Sequence, residues 1–504
     1  MPGLTDDSPT SSAGSRARRE PMGSLDHRAA SSPEMTPSDP ASSGHASAVV
    51  LAAGLGTRMR STVPKVLHEL CGRPMLAYVL DAWASTEDGA AGPAPVVVYS
   101  TAVEVVAEAF ADRATFALQE IPAGTGDAVR VALDHVAKAA VEVLVLSGDV
   151  PLVTGADIDA ILEARRADGA AIALASVFSA DPAELGRVVR GEFGTVERIV
   201  EAKDATPEEL ETNETNAGLY AFDAAWLRRR IATLTPSPTT GEIYLTDLIR
   251  LAREDGRIVA AVAFEDDGRF DGINDRSQLA AAEWSLRVQL NEAHMRAGVT
   301  MRDPSTVYLD WTVELAPDVT IEPNVIMRGA TRVGAGSIIG PGTELRESTV
   351  GQRVRVWASV VERSVIEDEA TVGPFSHLRP GTVVGRGAEV GNYAELKNTR
   401  LGAHSKQHHN SYLGDAEVGE GVNIGAGTIT ANYDGARKFP TTIGDGAFLG
   451  VDTMLVAPVE VGEGAKTGAG AVVTRDVPAR KLAVGVPARI RELRSKPAPE
   501  DPSG

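Results

Sequence analysis

Apolar and polar residues follow two different rhythms along the chain, one before residue 300 and one after it. From Ala48 the sequence Ala-Val-Val-Leu-Ala-Ala is apolar without interruption, and so are Val96-Val97-Val98-Tyr99, Val143-Leu144-Val145-Leu146 and Ala171-Ile172-Ala173-Leu174-Ala175. Runs of this length, separated by segments with helical spacing, suit strands buried on both faces, so the pattern predicts an α/β layered sheet over 47–275. Residues 276–297 contain neither Gly nor Pro, and Trp284, Leu286, Val288 and Leu290 recur along them, which predicts a connecting helix within a 276–302 linker, with Ser277 as its cap.

Past residue 303 the period becomes six. Val372, Leu378, Val384, Val390 and Leu396 are followed, after a gap, by Ile443, Leu449, Leu455, Val461, Thr467 and Val473. Hexapeptide repeats of this kind predict a parallel β-helix over 303–493, in which each coil buries its side chains only by stacking on its neighbours. The period slips between Leu401 and Leu413, and Thr430 to Thr442 reads as an insertion that leaves the coil.

Composition sharpens this division. Of the 50 glycines, 27 lie after residue 300, as expected if Gly relieves the corners of a repeating coil. Residues 1–46 and 494–504 are rich in Ser, Pro, Ala and Gly with few large apolar residues, so both predict disordered tails. Arg18-Arg19 has no apolar stretch after it and does not make an export signal. A net charge of −20 argues against nucleic acid as a partner. No run of about 18 apolar residues exists to span a membrane. A lone cysteine, Cys71, fits a reducing cytoplasm and a packed thiol.

Candidate chemistry starts where the first apolar run breaks into Gly54-Leu55-Gly56-Thr57-Arg58-Met59 and continues past Pro64 to Lys65. A strand feeding a glycine-rich turn presents backbone N–H groups to anionic oxygens, and Arg58 and Lys65 add the positive charge a triphosphate demands. A tight strand-to-helix turn would look similar. Asp149 follows the third run, at the carboxyl end of a strand, where open α/β sheets bind ligands; it reads either as a turn residue or as a Mg²⁺ ligand. In the second half, His404-Ser-Lys-Gln-His-His409 admits a zinc site, an exposed loop or a general base, since a free imidazole titrates at about 6.5 and can accept a proton from an ammonium nucleophile.

Leu51-Ala52-Ala53-Gly54-Leu-Gly-Thr-Arg58-Met59 with Pro64-Lys65 resembles the opening of the sugar-nucleotide pyrophosphorylases, and the whole chain is similar to the bacterial bifunctional uridylyltransferase and acetyltransferase family. The resemblance implies a Rossmann-like nucleotidyltransferase domain followed by a left-handed β-helix. It implies that Lys65 and Arg58 stabilise UTP, that Gln119, Gly124 and Thr125 read uracil, and that Gly186, Glu201 and Asn216 bind the sugar. Asp149 and Asn274 would hold Mg²⁺. In the second half it implies His409 as the base, and Arg379, Lys397, Tyr412, Asn423 and Lys438 around glucosamine 1-phosphate. Ala426, Asn432, Tyr433, Val451, Ala469 and Gly485 would border acetyl-CoA.

Four positions depart from the family's pattern: Asn410 and His408 flank His409 unusually, Val451 stands where a Ser is common, and Gly485 lies near an Arg position whose charge Arg489 or Arg491 would replace. The implied activity is acetylation of glucosamine 1-phosphate by acetyl-CoA, then uridylyl transfer from UTP to N-acetylglucosamine 1-phosphate, by a cytoplasmic homotrimer. One alternative keeps only the uridylyl step, with a degenerate β-helix for trimerisation or regulation. A second is an assembly scaffold without chemistry, against which Lys65, Asp149 and Asn274 stand.

Overall fold

A computed structural model describes residues 45–182 and 184–492. The expected tails, with Arg18 and Arg19, fall outside them, except that Ala46 opens the first strand and is buried, so the folded unit starts slightly earlier than residue 47. The apolar runs form the centre of a mixed sheet. Its strand order is Val259–Phe264, Ile172–Phe178, Glu214–Asp223, Glu142–Ser147, Ala46–Leu51, Val96–Tyr99, Thr115–Leu118. Ala46–Leu51 pairs in parallel with Glu142–Ser147 on one side and Val96–Tyr99 on the other. The chain therefore departs from the first strand in both directions, and the crevice at such a switch point, beyond the carboxyl ends, is where doubly wound sheets place ligands. Glu214–Asp223 runs antiparallel to both its neighbours.

Glu142 opens the strand that leads to Asp149. Its carboxylate is buried and paired with the guanidinium groups of Arg165 and Arg166, both on the helix Gly155–Asp168. That helix is fixed at its start by a reciprocal cap between Thr154 and Asp157, and it stops at Gly169 in the left-handed conformation.

The connecting helix runs Arg276–Arg296 as its composition predicts, but its cap is Asp275, whose carboxylate accepts from the backbone N–H groups of Ser277 and Gln278. Ser277, expected as the cap, sits inside the first turn; Asp275 wins because its oxygen reaches two orphan donors from the extended residue before the helix. Leu286 of this helix joins Leu70, Cys71, Met75, Tyr78 and Ile273 in a small core between the two halves. There the Cys71 thiol is pushed up to about 12, first by burial and then by Glu283 and Asp310. Tyr78 meets Trp311 edge to face at 5.4 Å, and the Trp311 backbone N–H donates to the Cys71 carbonyl at 2.9 Å. Between them Gly72 adopts φ 74°, and a Cβ there would lie 2.4 Å from the Asp310 carboxyl carbon, so only glycine fits.

The coil begins at Thr300–Met301 rather than at 303. Short parallel strands stack into three sheets, and the last strand, Arg489–Glu492, folds back antiparallel on Lys481–Val484. The residues of the six-period point inward in rotation: Val372 and Val390 in one sheet, Leu378 and Leu396 in the next, Val384 in the third. All five are buried, and together they belong to one continuous core. The apparent slip after Leu396 has two sources. Leu396 to Leu401 and Leu413 to Val418 are sides one residue short, and polar Gln407 occupies the inward slot between Val390 and Ile424. Ile429–Ala431 and Thr441–Ile443 both remain paired in their sheets, so the excursion is confined to 432–440, narrower than Thr430 to Thr442.

Candidate active sites

A cleft of about 290 Å³ opens at the carboxyl end of the first strand. Leu51, Ala52, Ala53, Gly54, Lys65, Gln119, Gly124, Thr125 and Asp149, all expected there, line it. The Lys65 ammonium contacts a carboxylate oxygen of Asp149 and lies 3.0 Å from Asn274 Oδ1, with its side chain only 11 % exposed. Two oxygens from residues 149 and 274 thus converge on one cation, which is the donor chemistry Mg²⁺ prefers. Among the described residues no three His, Cys, Asp or Glu side chains converge, so a Mg²⁺ here would draw its remaining ligands from substrate phosphates and water.

Gln119 is buried, and its amide donates to Asp127 Oδ2 at 2.7 Å and to the Gly124 carbonyl at 3.3 Å, which fixes its orientation. Thr125 opens the helix Thr125–Ala132, and its hydroxyl accepts from the Leu245 N–H at 3.0 Å. The segment so anchored brings Glu242 to the lining of the cleft, a residue that sequence reasoning missed. Only the turn chemistry of Thr239-Thr240-Gly241 marked the segment, and its partner lies 120 residues away.

Arg58 stands apart from the other cleft residues. It is exposed and paired with Glu184 at 3.2 Å, outside the lining of the cleft. Glu201 faces a neighbouring hollow of about 160 Å³ with Tyr244 and Thr246, and it accepts from the Thr246 hydroxyl at 3.2 Å. Burial holds the Glu201 carboxyl above the usual range, partly opposed by that hydrogen bond. A Cβ on Gly186 would come 3.5 Å from its carboxylate. Asn216 Oδ1 accepts from the Gly218 N–H at 3.1 Å and the Tyr220 hydroxyl at 2.8 Å, leaving its amide nitrogen for a ligand.

In the β-helix the expected residues divide among two faces and the corner between them. Arg379, Lys397 and Tyr412 share one sheet: Glu395 pairs with Tyr412 in register, and Arg379 donates to Glu395 at 2.8 Å. Lys438 reaches in from the excursion and lowers the Lys397 pKa through a hydrogen bond and like charge, with Arg379 adding to the effect. Asn432 donates to Asp415 at 2.6 Å. A Cβ on Gly414 would meet the Tyr412 hydroxyl at 2.3 Å and the Asn432 amide at 2.7 Å, so this glycine lets the two side chains meet. Tyr433 is 61 % exposed.

Asn423 lies on the adjacent sheet, between Lys406 and Phe448. His409 occupies the corner between these two faces, and turns containing Ala426, Val451 and Ala469 follow it up the same corner. His408 is engaged elsewhere, 2.7 Å from Glu389, with its ring perpendicular to that of His409. Gly485 lies at the tip of the final hairpin, whose returning strand carries Arg489 and Arg491.

Fold and clefts together define a nucleotidyltransferase fused to a hexapeptide-repeat transferase. The model of the MobA-like NTP transferase domain matches residues 48–199, and that of the bacterial transferase hexapeptide (six repeats) matches 363–398 and 440–475. The bifunctional protein GlmU of Heliobacterium modesticaldum is 46 % identical over 437 residues, 87 % of this chain and 94 % of that protein. GlmU of Kineococcus radiotolerans is 45 % identical over 450 residues, covering 88 % and 90 %. GlmU of Pelobacter propionicus is 44 % identical over 441 residues, covering 87 % and 95 %. The chain belongs to this GlmU family of bifunctional enzymes, which join uridylyltransferase and acetyltransferase activities, and its coil is the family's left-handed β-helix. No helix among the described residues is long and apolar enough to cross a membrane.

Proposed function

We propose that the β-helix acetylates glucosamine 1-phosphate with acetyl-CoA, and that the α/β domain then transfers UMP from UTP to the resulting N-acetylglucosamine 1-phosphate. The product, UDP-N-acetylglucosamine, feeds bacterial cell-wall synthesis. The observation that carries the reading is the convergence of Lys65, Asp149 and Asn274 at the mouth of a glycine-lined cleft, on a chain that also gathers Arg379, Lys397 and Lys438 around one sheet of the β-helix.

For uridylyl transfer, a sugar phosphate oxygen attacks the α-phosphorus of UTP and the bond to pyrophosphate breaks. Nothing in this displacement requires a covalent nucleophile; it requires positioning and charge neutralisation. The backbone from Leu51 to Gly54 receives the nucleotide, Gln119 reads the base, and Glu201 and Asn216 hold the sugar. Lys65 meets the charge that develops on the phosphates. Asp149 and Asn274 would hold Mg²⁺, which when bound contributes further neutralisation. Arg58 joins the phosphates by exchanging Glu184 for them.

For acetyl transfer, His409 takes a proton from the sugar ammonium, the amine nitrogen attacks the thioester carbonyl, and the carbon–sulfur bond breaks to release coenzyme A as thiol. Arg379, Lys397 and Lys438 hold the sugar phosphate, while Tyr412, Asn423 and Asn432 border the reacting groups. Asn423 and Arg379 stand on different faces of the coil, an arrangement that sites completed by a second copy of the chain would use, and this supports a homotrimer with intersubunit sites. A cytoplasmic location fits the substrates.

The test supplies glucosamine 1-phosphate, acetyl-CoA, UTP and Mg²⁺ and follows free thiol and pyrophosphate separately. Thiol release followed by pyrophosphate is expected. Absence of thiol would remove the acetyl step, and a monomeric mass by light scattering would remove the trimer.

A further inference from the structure

The inward column that holds Gln407 is otherwise apolar nearby: Val372 and Val390 precede it, and Ile424 and Leu449 follow. Gln407 is fully buried in this stack, its Oε1 has no hydrogen-bond partner, and its Nε2 donates to the Ser411 hydroxyl at 2.8 Å. An aliphatic side chain would fill the slot without stranding a polar atom, so stacking alone does not account for a glutamine there. The other polar residue of the column, Thr467, differs in this respect, because its hydroxyl meets both the Gly450 N–H and the Thr453 hydroxyl.

The chain of hydrogen bonds continues outward. Ser411 donates to the His409 carbonyl at 2.8 Å. A serine hydroxyl has one proton, and a glutamine NH₂ group can only donate; once Gln407 donates to Ser411, that single proton is committed to His409. The three carbonyls of the turn are then all fixed. Those of His408 and Asn410 accept from the backbone N–H groups of Asn392 and Gly427, at 3.1 and 2.7 Å in the coils on either side. Only the His409 carbonyl is held from within the coil and by side chains.

We propose that Gln407 and Ser411 are positioning residues for acetyl transfer, a brace inside the β-helix that fixes the turn presenting His409. The proposal rests on His409 being the base of that reaction. It also explains how a turn flanked by His408 and Asn410 keeps one imidazole committed: His408 is tied to Glu389 and the backbone of His409 to the brace.

The test compares Gln407→Met, Ser411→Ala and the double variant with the parent enzyme. Methionine preserves the volume and removes both the donor and the stranded oxygen, so the thermal midpoint stays level or rises and pyrophosphate release from UTP and N-acetylglucosamine 1-phosphate is unchanged. Thiol release falls about tenfold or more in kcat, the scale expected when a reacting group loses its alignment, with KM for both substrates within about twofold. Ser411→Ala gives the same loss of kcat, with a lower thermal midpoint because it strands the buried Gln407 amide, and the double variant loses no more kcat than either single one because the two residues act in series. A normal acetyl-transfer kcat in either single variant, or losses that multiply in the double variant, overturns the brace. His409→Ala is the control for the underlying reading: thiol release that survives it overturns the assignment of the base instead.

Discussion

Replacing Lys65 by Met removes one ammonium and leaves most of its stem, so the packing of its Cβ against Gly56 is retained. What disappears is a cation 11 % exposed that touches Asp149 and lies 3.0 Å from Asn274 Oδ1. An ammonium about 4 Å from a phosphate charge is worth about 4 kcal/mol at an effective dielectric constant of about 20. Loss of one preorganised group of this kind lowers kcat by about 10²- to 10³-fold in other enzymes. The expected result is a fall of that size in both kcat and kcat/KM for pyrophosphate release, because the charge is required most where the transition state develops it. Thiol release from acetyl-CoA serves as the internal standard and stays unchanged. A loss below about fivefold in the uridylyl step would refute the assignment of Lys65, and a parallel loss of thiol release would show that the substitution damages the fold instead.

Four further outcomes follow from the same geometry. Gly414→Ala drives a methyl group into the Tyr412 hydroxyl and the Asn432 amide, and a displacement of about 1 Å there lowers acetyl transfer about 100-fold while uridylyl transfer continues, read by the same paired assay. Glu142→Ala leaves Arg165 without its carboxylate beside a buried strand end, while the more exposed Arg166 keeps Asp88 at 2.7 Å, and destabilises the α/β domain by about 3 kcal/mol, measured by denaturant unfolding. Because the Glu201 carboxyl is raised, it gains its proton at a higher pH than an ordinary glutamate: KM for the sugar phosphate in the uridylyl step rises on the acid side from above the usual range, and Glu201→Gln flattens that limb. The same shift makes Glu201 a destabilising influence as pH rises through its folded-state pKa, since the folded chain holds that proton more tightly than the unfolded one. Chelation with EDTA abolishes pyrophosphate release and spares thiol release, and pyrophosphate returning without added Mg²⁺ would contradict the placement of Asp149 and Asn274.

The fold was legible wherever burial imposed a period. Strands flanked on both faces reveal themselves as unbroken apolar runs, as in Val143 to Leu146, and a coil with three inward columns writes its period directly into Val372, Leu378, Val384, Val390 and Leu396. Local chemistry decided less cleanly. Ser277 and Asp275 are both good caps, and only the extended conformation at 275 selects between them. Gln407 hid a regular coil as an apparent slip, because a polar residue in an inward slot erases the hydrophobic signal without changing the backbone. At the first strand's end, Leu51 to Gly54, Lys65 and Asp149 share one cleft, whereas the place of Glu242 beside them depends on an association across 120 residues that no local pattern encodes. The placement of Arg58 on Glu184 was equally invisible, since an exposed arginine's partner is set by neighbours distant in sequence.

The sheet carrying Leu309, Leu345, Leu378 and Leu413 advances one strand per coil, six strand-to-strand steps from the coil beside Trp311 to the coil that follows His409. At about 4.8 Å per step, roughly 29 Å of stacked coil lies between the junction and that level. The β-helix is thus a graduated ruler: inserting or deleting one full coil would slide the His409 corner by a single graduation without turning it, while adding or removing a single side would carry His409 from that corner to the next. Distance along the stack is therefore quantised: a side can lose one residue, as between Leu396 and Leu401, or a loop can leave the coil, as at 432–440, and the graduations stay in step.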